Sequence, residues 1–193
     1  MKLRILITSI GGHYSHDLIR AVRKEHKSFI LGTDLKKNNN IFFVDDFRIL
    51  PSPKNEKNYL KILFKIIKKY KIKVVIPCSD AETIPISKNL KNFEKIGVKV
   101  PLSNYKTISL INNKFKLFEY LKRKNIDVGK FRKLDSINEL QKKLLDFNYP
   151  SKKVILKPRF GGGSRGIIIL DERLKTFKYL LEDKSRFCGT SSL

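Results

Sequence analysis

Cysteine, histidine, acidic side chains and long apolar runs are all scarce in this 193-residue sequence, and each scarcity excludes something. The two cysteines, Cys78 and Cys188, are too few and too far apart for a disulfide framework, and such usage fits a reducing cytoplasm. Of the histidines His13, His16 and His26, the first two are close together, but no acidic or thiol partner shares their spacing, which argues against a metal site. The longest apolar runs, such as "KVVIPC" and "GIIIL", fall far below the length that crosses a bilayer, so no membrane partner is expected. The opening "MKLRILITSIGG" lacks the apolar stretch and cleavage site of a signal peptide and reads as a buried strand.

Acidic residues number 18 against 42 lysines and arginines, a formal net charge of +24. Such a field attracts nucleic acid or anionic metabolites. The lysines, however, follow the polar sides of helical patterns, as in "KILFKIIKKYKIK" and "NNKFKLFEYLKRKN". No segment joins a basic face to a recognisable nucleic-acid motif, so nucleic-acid binding is the weaker reading, and binding lost at moderate salt would be non-specific.

What is present is an alternation of strands and helices. "LRILITS" is a continuous apolar run ending at Gly11-Gly12, followed by a helical pattern from Ser15 through Val22. "SFILGTD" reads as a second strand closed by Asp34, and "NNNIFFVDDFRIL" contains a short third. Leu60, Leu63, Phe64 and Ile67 recur at the spacing of one helix face. "IKVVIPC" predicts another buried strand and "SDAETIPISKNL" a helix, with Ser79 and Glu82 matching a capping box. "GVKVP" closes the series as a short strand. This alternation predicts an α/β fold, a doubly wound, Rossmann-like parallel sheet with right-handed crossovers. Ligands bind such sheets beyond the carboxyl ends of the strands, where Gly11, Gly12, Asp34, Ser79 and Asp80 fall.

After a boundary near Pro101 to Asn104 the pattern changes, giving expected domains at 1–102 and 103–193. "SNYKTISLINNKFKLFEYLKRKN" predicts one or two helices with a break near Asn113, "IDVGKFRKL" an extended connection, and "SINELQKKLLDF" a helix capped by Ser136 with Glu139 three residues on. "DERLKTFKYLLED" reads as a further helix. Before it lies "VILKPRFGGGSRGIIIL". Gly161, Gly163 and Gly166 satisfy G-x-G-x-x-G, but that fingerprint must open a helix, and three successive isoleucines favour a strand. A hairpin with a glycine-rich tip remains. Its glycines let backbone N–H groups approach an anion, while Lys157 and Arg165 supply charge on either side. A mobile hairpin with incidental charges is the plain alternative.

These residues resemble the ATP-grasp ligases, and within them the carbamoyl phosphate synthase-like group. Three pieces carry the likeness, in order: "ILITSIGG" with "ILGTD", then "VVIPCSDAETIPIS", then "NNKFKLFEYLKRKNIDVGKF" with "VILKPRFGGGSRGI". The resemblance implies a pre-ATP-grasp domain followed by an incomplete α+β grasp module. It implies ATP as nucleotide, Mg2+ as metal, and a small carboxylate that becomes an acylphosphate before an amine attacks it. By position, Lys114 matches a lysine near nucleotide phosphate and Lys157 the strand cation near the α-phosphate. Gly161, Gly162, Gly163, Ser164, Arg165 and Gly166 match the loop over the β- and γ-phosphates. Magnesium ligands, the adenine hinge and the ribose acid are not found in this sequence. The tail "EDKSRFCGTSSL" reads as an abrupt end, so the expectation is the amino-terminal part of a ligase, without turnover by itself. A homodimer or a complementing carboxyl-terminal half would be its protein partners. The rival readings are a nucleotide- or anion-binding remnant and a basic nucleic-acid-binding protein.

The smaller candidates stay open between two roles. Ser79, Asp80 and Glu82 would touch substrate or simply cap a helix. Gly11 and Gly12 would combine a tight turn with proximity to substrate, and Asp34 suits a loop or cap role. Cys78, just before a helix amino terminus, has a thiolate-favouring position, but with no histidine nearby in sequence, burial is the better account of it.

Overall fold

The structure is a computed structural model, and it describes residues 2–12, 14–25, 27–162, 166–173 and 187–188. The chain divides into two compact units, Met1–Ser109 and Leu110–Leu193.

In the first unit, strands β1 (Arg4–Ile7), β2 (Phe29–Asp34), β3 (Asp46–Ile49) and β4 (Val74–Ile76) form one parallel sheet in the order β3-β2-β1-β4. Helix α1 (Ser15–Glu25) connects β1 to β2, a 3-10 turn (Asn39–Phe43) precedes β3, and α2 (Glu56–Tyr70) connects β3 to β4. Helices α3 (Asp80–Lys88) and α4 (Leu90–Lys95) follow, and the boundary between the units falls within α5 (Tyr105–Ile111). The twofold alternation of a strand explains why the strand sequences are apolar throughout. Ile5, Ile7 and Ile30 pack on one face with Ile19 of α1, whereas Leu6, Leu31 and Val75 pack on the other with Leu63 and Ile67 of α2 and Phe93 of α4. Both faces are covered, as a parallel sheet requires. The doubly wound sheet read from the sequence is therefore present.

The strand expected over "GVKVP" is reduced to a single parallel bridge between Lys99 and Val74. Lys99 gives its N–H to Lys73 and accepts from Val75, but Pro101 follows at once and has no N–H to continue the ladder.

In the second unit, α6 (Lys114–Arg123) starts at Asn113, whose side chain accepts from the Lys116 N–H at 3.2 Å. The expected break near Asn113 is this cap. No regular element occupies 124–136. The helix expected to be capped by Ser136 begins as a 3-10 turn (Ile137–Glu139) before α7 (Leu140–Leu145), and the Ser136 side chain makes no cap bond. Glu139 is drawn instead to Lys143, one turn on. Strands β5 (Val154–Leu156) and β6 (Ile168–Leu170) pair antiparallel, and β7 (Phe187–Cys188) runs parallel to β6. Leu140, Leu144, Val154 and Leu170 form the core of this unit. Gly163, Ser164, Arg165, His13, His26 and most of the helix expected over "DERLKTFKYLLED" lie outside the described residues.

Candidate functional site

Two hydrogen-bonded clusters lie beyond the carboxyl ends of β1, β2 and β4, one on Asp34 and one on Glu82. Beyond β1 the backbone turns at Ser9, a non-glycine residue at φ 51°, and the Gly12 N–H returns to the Ser9 carbonyl at 3.0 Å before α1 starts. Gly11 donates its N–H to Asp34 Oδ2 at 2.7 Å, and a Cβ at Gly11 would stand 2.8 Å from that oxygen, so a larger residue would displace the Asp34 or Asn38 side chain. Asp34 also accepts from the Leu35 N–H at 2.6 Å and the Asn38 side chain at 3.2 Å. It is thus a loop tie between β1 and β2.

At the end of β4, Ser79 occupies the N-cap position of α3 without a side-chain cap bond, and Asp80 beside it is exposed. The capping box read from the sequence does not form. Glu82 turns inward instead and is 4% exposed. Its carboxylate accepts from Thr8 Oγ1 at 2.6 Å, Ser9 Oγ at 3.0 Å and Tyr59 OH at 3.0 Å. Three hydroxyl donors, two from the turn after β1 and one from α2, outcompete the single N–H that a capping box offers. Burial raises the Glu82 pKa above the ordinary glutamate value, and the nearby Asp34 adds to the rise, against the opposing hydroxyl bonds. Tyr59 is raised too, by its own burial and then by the Glu82 charge.

Cys78 packs partly buried against the apolar cluster of β1 and α1. Burial and then Glu82 push its thiol up to about 11, with a bond from Ser15 opposing. The thiolate-favouring position beside the α3 amino terminus is thus overruled by desolvation, and Cys78 is a packing residue.

In the second unit the hairpin is as the sequence suggested, with Val154, Ile155 and Leu156 opposite Leu170, Ile169 and Ile168. Lys157, the first residue beyond β5, is exposed, with no side-chain partner among the described residues. Lys114 reaches the same loop from α6. Its N–H donates to the Arg159 carbonyl at 2.9 Å and its Nζ to the Gly161 carbonyl, 47 positions along the chain. Gly161 and Gly166, at φ 95° and 75°, bracket the tip in conformations that side chains rarely adopt, and a Cβ at Gly166 would strike Pro158 at 2.7 Å. Gly162 lies between Gly161 and the undescribed tip.

Two features were missed in the sequence. Tyr59 lies on the apolar face of α2, and a buried tyrosine hydroxyl calls for a polar partner, which was the available signal for Glu82. At the hairpin base, Asp171 is 5% exposed and bound by Lys153 at 2.8 Å and by Arg173 at 3.1 Å. Only spatial pairing reveals that cluster. Among the described residues no group of three or more His, Cys, Asp or Glu side chains is placed to hold a metal ion. No described helix is long and apolar enough to cross a membrane.

The first unit is thus a parallel sheet in the order β3-β2-β1-β4, and the second carries the antiparallel hairpin of β5 and β6. Residues 5–101 match the family described as PylC-like, N-terminal domain, and the chain belongs to that family. Solved structures of similar fold include the biotin carboxylase domain of Hydrogenobacter thermophilus 2-oxoglutarate carboxylase, at 18% identity and a TM-score of 0.59 over 88% of this chain and 38% of that one. An L-amino acid ligase from Bacillus licheniformis aligns at 15% identity and a TM-score of 0.61 over 89% of this chain and 40% of that one. N5-carboxyaminoimidazole synthase from Aspergillus clavatus aligns at 18% identity and a TM-score of 0.58, over 82% and 39%. The chain thus spans well under half the length of each of these proteins. No curated protein sequence matches it significantly.

Proposed function

We propose that this chain is the amino-terminal portion of an ATP-dependent carboxylate–amine ligase, with the nucleotide's phosphates held at the glycine-rich hairpin. The observation that carries the reading is the tie from Lys114 to Gly161, which joins two phosphate-binding candidates 47 residues apart in sequence. Lys114 then reaches the start of the loop that follows Lys157, and Arg165 is the further cation in the loop's sequence. The glycines at 161, 162, 163 and 166 carry no Cβ to keep phosphate oxygens from their backbone N–H groups. In the reaction class, a carboxylate oxygen attacks the γ-phosphorus, ADP leaves, and an amine displaces phosphate from the acylphosphate. The role of this chain's cations is to offset charge on the phosphates.

Residues 1–102 serve in this reading as the pre-ATP-grasp domain and 103–193 as the start of the grasp module. The small carboxylate would be met at the strand ends by Gly11, Gly12, Ser79 and Asp80. Glu82, engaged by three hydroxyls, would act by holding the ends of β1 and α3 in place. The test is an ATP titration by calorimetry. Replacing Lys157 and Arg165 together by alanine should weaken binding about tenfold or more, on the order of 1.5–3 kcal/mol. Unchanged affinity would remove the hairpin assignment.

A further inference from the structure

A second candidate site lies in the second unit and uses none of the hairpin residues. A groove of about 870 Å³ runs between α6 and the extended segment 129–133. Phe115, Glu119, Lys122 and Arg123 line it from α6, at spacings that place them along one helix face. Lys130, Arg132 and Lys133 line the facing side, so five cations meet the single lining carboxylate of Glu119. The apolar wall is built from Phe131, against which Phe115 and Phe118 pack edge-on at 5.8 Å and 5.4 Å.

The cations differ in what already engages them. Lys133 pairs with Asp135 at 2.6 Å, Arg132 lies 3.6 Å from Asp146, and Lys130 donates to the Asp146 carbonyl. Lys122 and Arg123 are exposed and have no side-chain partner among the described residues. Cations in a last helical turn commonly serve the free carbonyls there. Here backbone N–H groups do that work: Lys124 and Ile126 donate to Tyr120 and Leu121, and Asn125, at φ 57°, donates to Lys122. Two unpaired cations therefore border a cavity large enough for one nucleotide-sized molecule. Arg123 brings a planar fork suited to phosphate oxygens. Phe131 is held by its two aromatic neighbours, whereas a groove that tracks single-stranded nucleic acid offers free ring faces for successive bases.

We propose that this groove binds a small phosphorylated molecule, its phosphates held by Lys122 and Arg123 and its body resting against Phe115 and Phe131. The test uses the full chain, with inorganic pyrophosphate as probe, followed through the amide NMR shifts of Gly129 to Lys133. The expected result is saturable shifts in that segment, weakened about tenfold or more by Lys122→Ala with Arg123→Ala and altered less than about twofold by Lys157→Ala. Both α6 positions are exposed, so an unchanged melting temperature will accompany the double variant. Absence of shifts in 129–133, or shifts that persist undiminished in the double variant, would overturn the proposal. So would displacement of pyrophosphate by a lower concentration of a thymidine oligonucleotide or of a poly-glutamate peptide, which would assign the groove to nucleic acid or to a protein segment.

Discussion

Glu82 in the first unit and Asp171 in the second are both nearly shielded from solvent, at 4% and 5% exposure, yet their proton affinities move in opposite directions. Glu82 is satisfied by the hydroxyls of Thr8, Ser9 and Tyr59, which supply geometry but no positive charge. Desolvation therefore prevails and the carboxyl holds its proton more tightly. Asp171 is satisfied by Arg173 and then Lys153, and those cations hold it well below the usual carboxylate range. The leading cause thus differs between the two carboxyls, burial at Glu82 and cationic donors at Asp171. The Glu82 cluster also joins three elements of the first unit, whereas Asp171 joins residues at the base of one hairpin.

The largest effect should come from removing the acceptor at the more connected site. Glu82→Ala leaves the hydroxyl donors of the turn after β1 and of α2 without their shared partner, and about 3 kcal/mol of stability should be lost in urea unfolding. Tyr59→Phe removes one of the three donors while keeping the ring. It should cost about 1 kcal/mol and raise the proton affinity of Glu82 further. Were the two substitutions to cost the same, the cluster would not be acting through Glu82.

The pH dependence separates the two carboxyls by sign. Glu82 is raised in the folded state, so its contribution is complete below the ordinary value of 4.5 and is lost as pH rises through the folded value. Asp171 is lowered, so its contribution is complete above 3.8 and is lost as pH falls through the folded value. Glu82→Gln should remove the decline on the alkaline side of that window, and Asp171→Asn should flatten only the acid side. The second change should be the smaller and the more salt-sensitive, because Lys153 and Arg173 are more than half exposed.

The same contrast explains how much was legible beforehand. The sheet was legible because Leu6, Leu31 and Val75 sit in continuous apolar runs that only a strand covered on both faces requires. The hairpin was legible because isoleucines after a glycine run exclude a helix start. Glu82 was legible as a residue but not in its role, since Ser79 and Glu82 have capping-box spacing and nothing local reveals the hydroxyl of Tyr59, 23 residues earlier. Asp171 gave no signal at all: its partner Arg173 is two residues on, but the cation that completes the site, Lys153, lies on the other strand's side of the hairpin. Local spacing predicts local bonds, and at both carboxyls a partner from another element decided the outcome.

Cys78 offers the finest probe of this comparison, because its thiol, pushed up to about 11, is raised by burial first and by Glu82 second. In a Cys188→Ser background, iodoacetamide should modify Cys78 more slowly than a free cysteine at about pH 8, where an ordinary thiol is partly ionised. Adding Glu82→Gln removes the nearby negative charge without opening a cavity, and the rate should rise about threefold. The burial contribution remains, so the rate should stay below that of a free thiol. An unchanged rate would mean that Glu82 is already protonated at that pH. The three hydroxyls would then be holding a neutral acid, and Tyr59 or Thr8 would have to accept the proton that the acid donates.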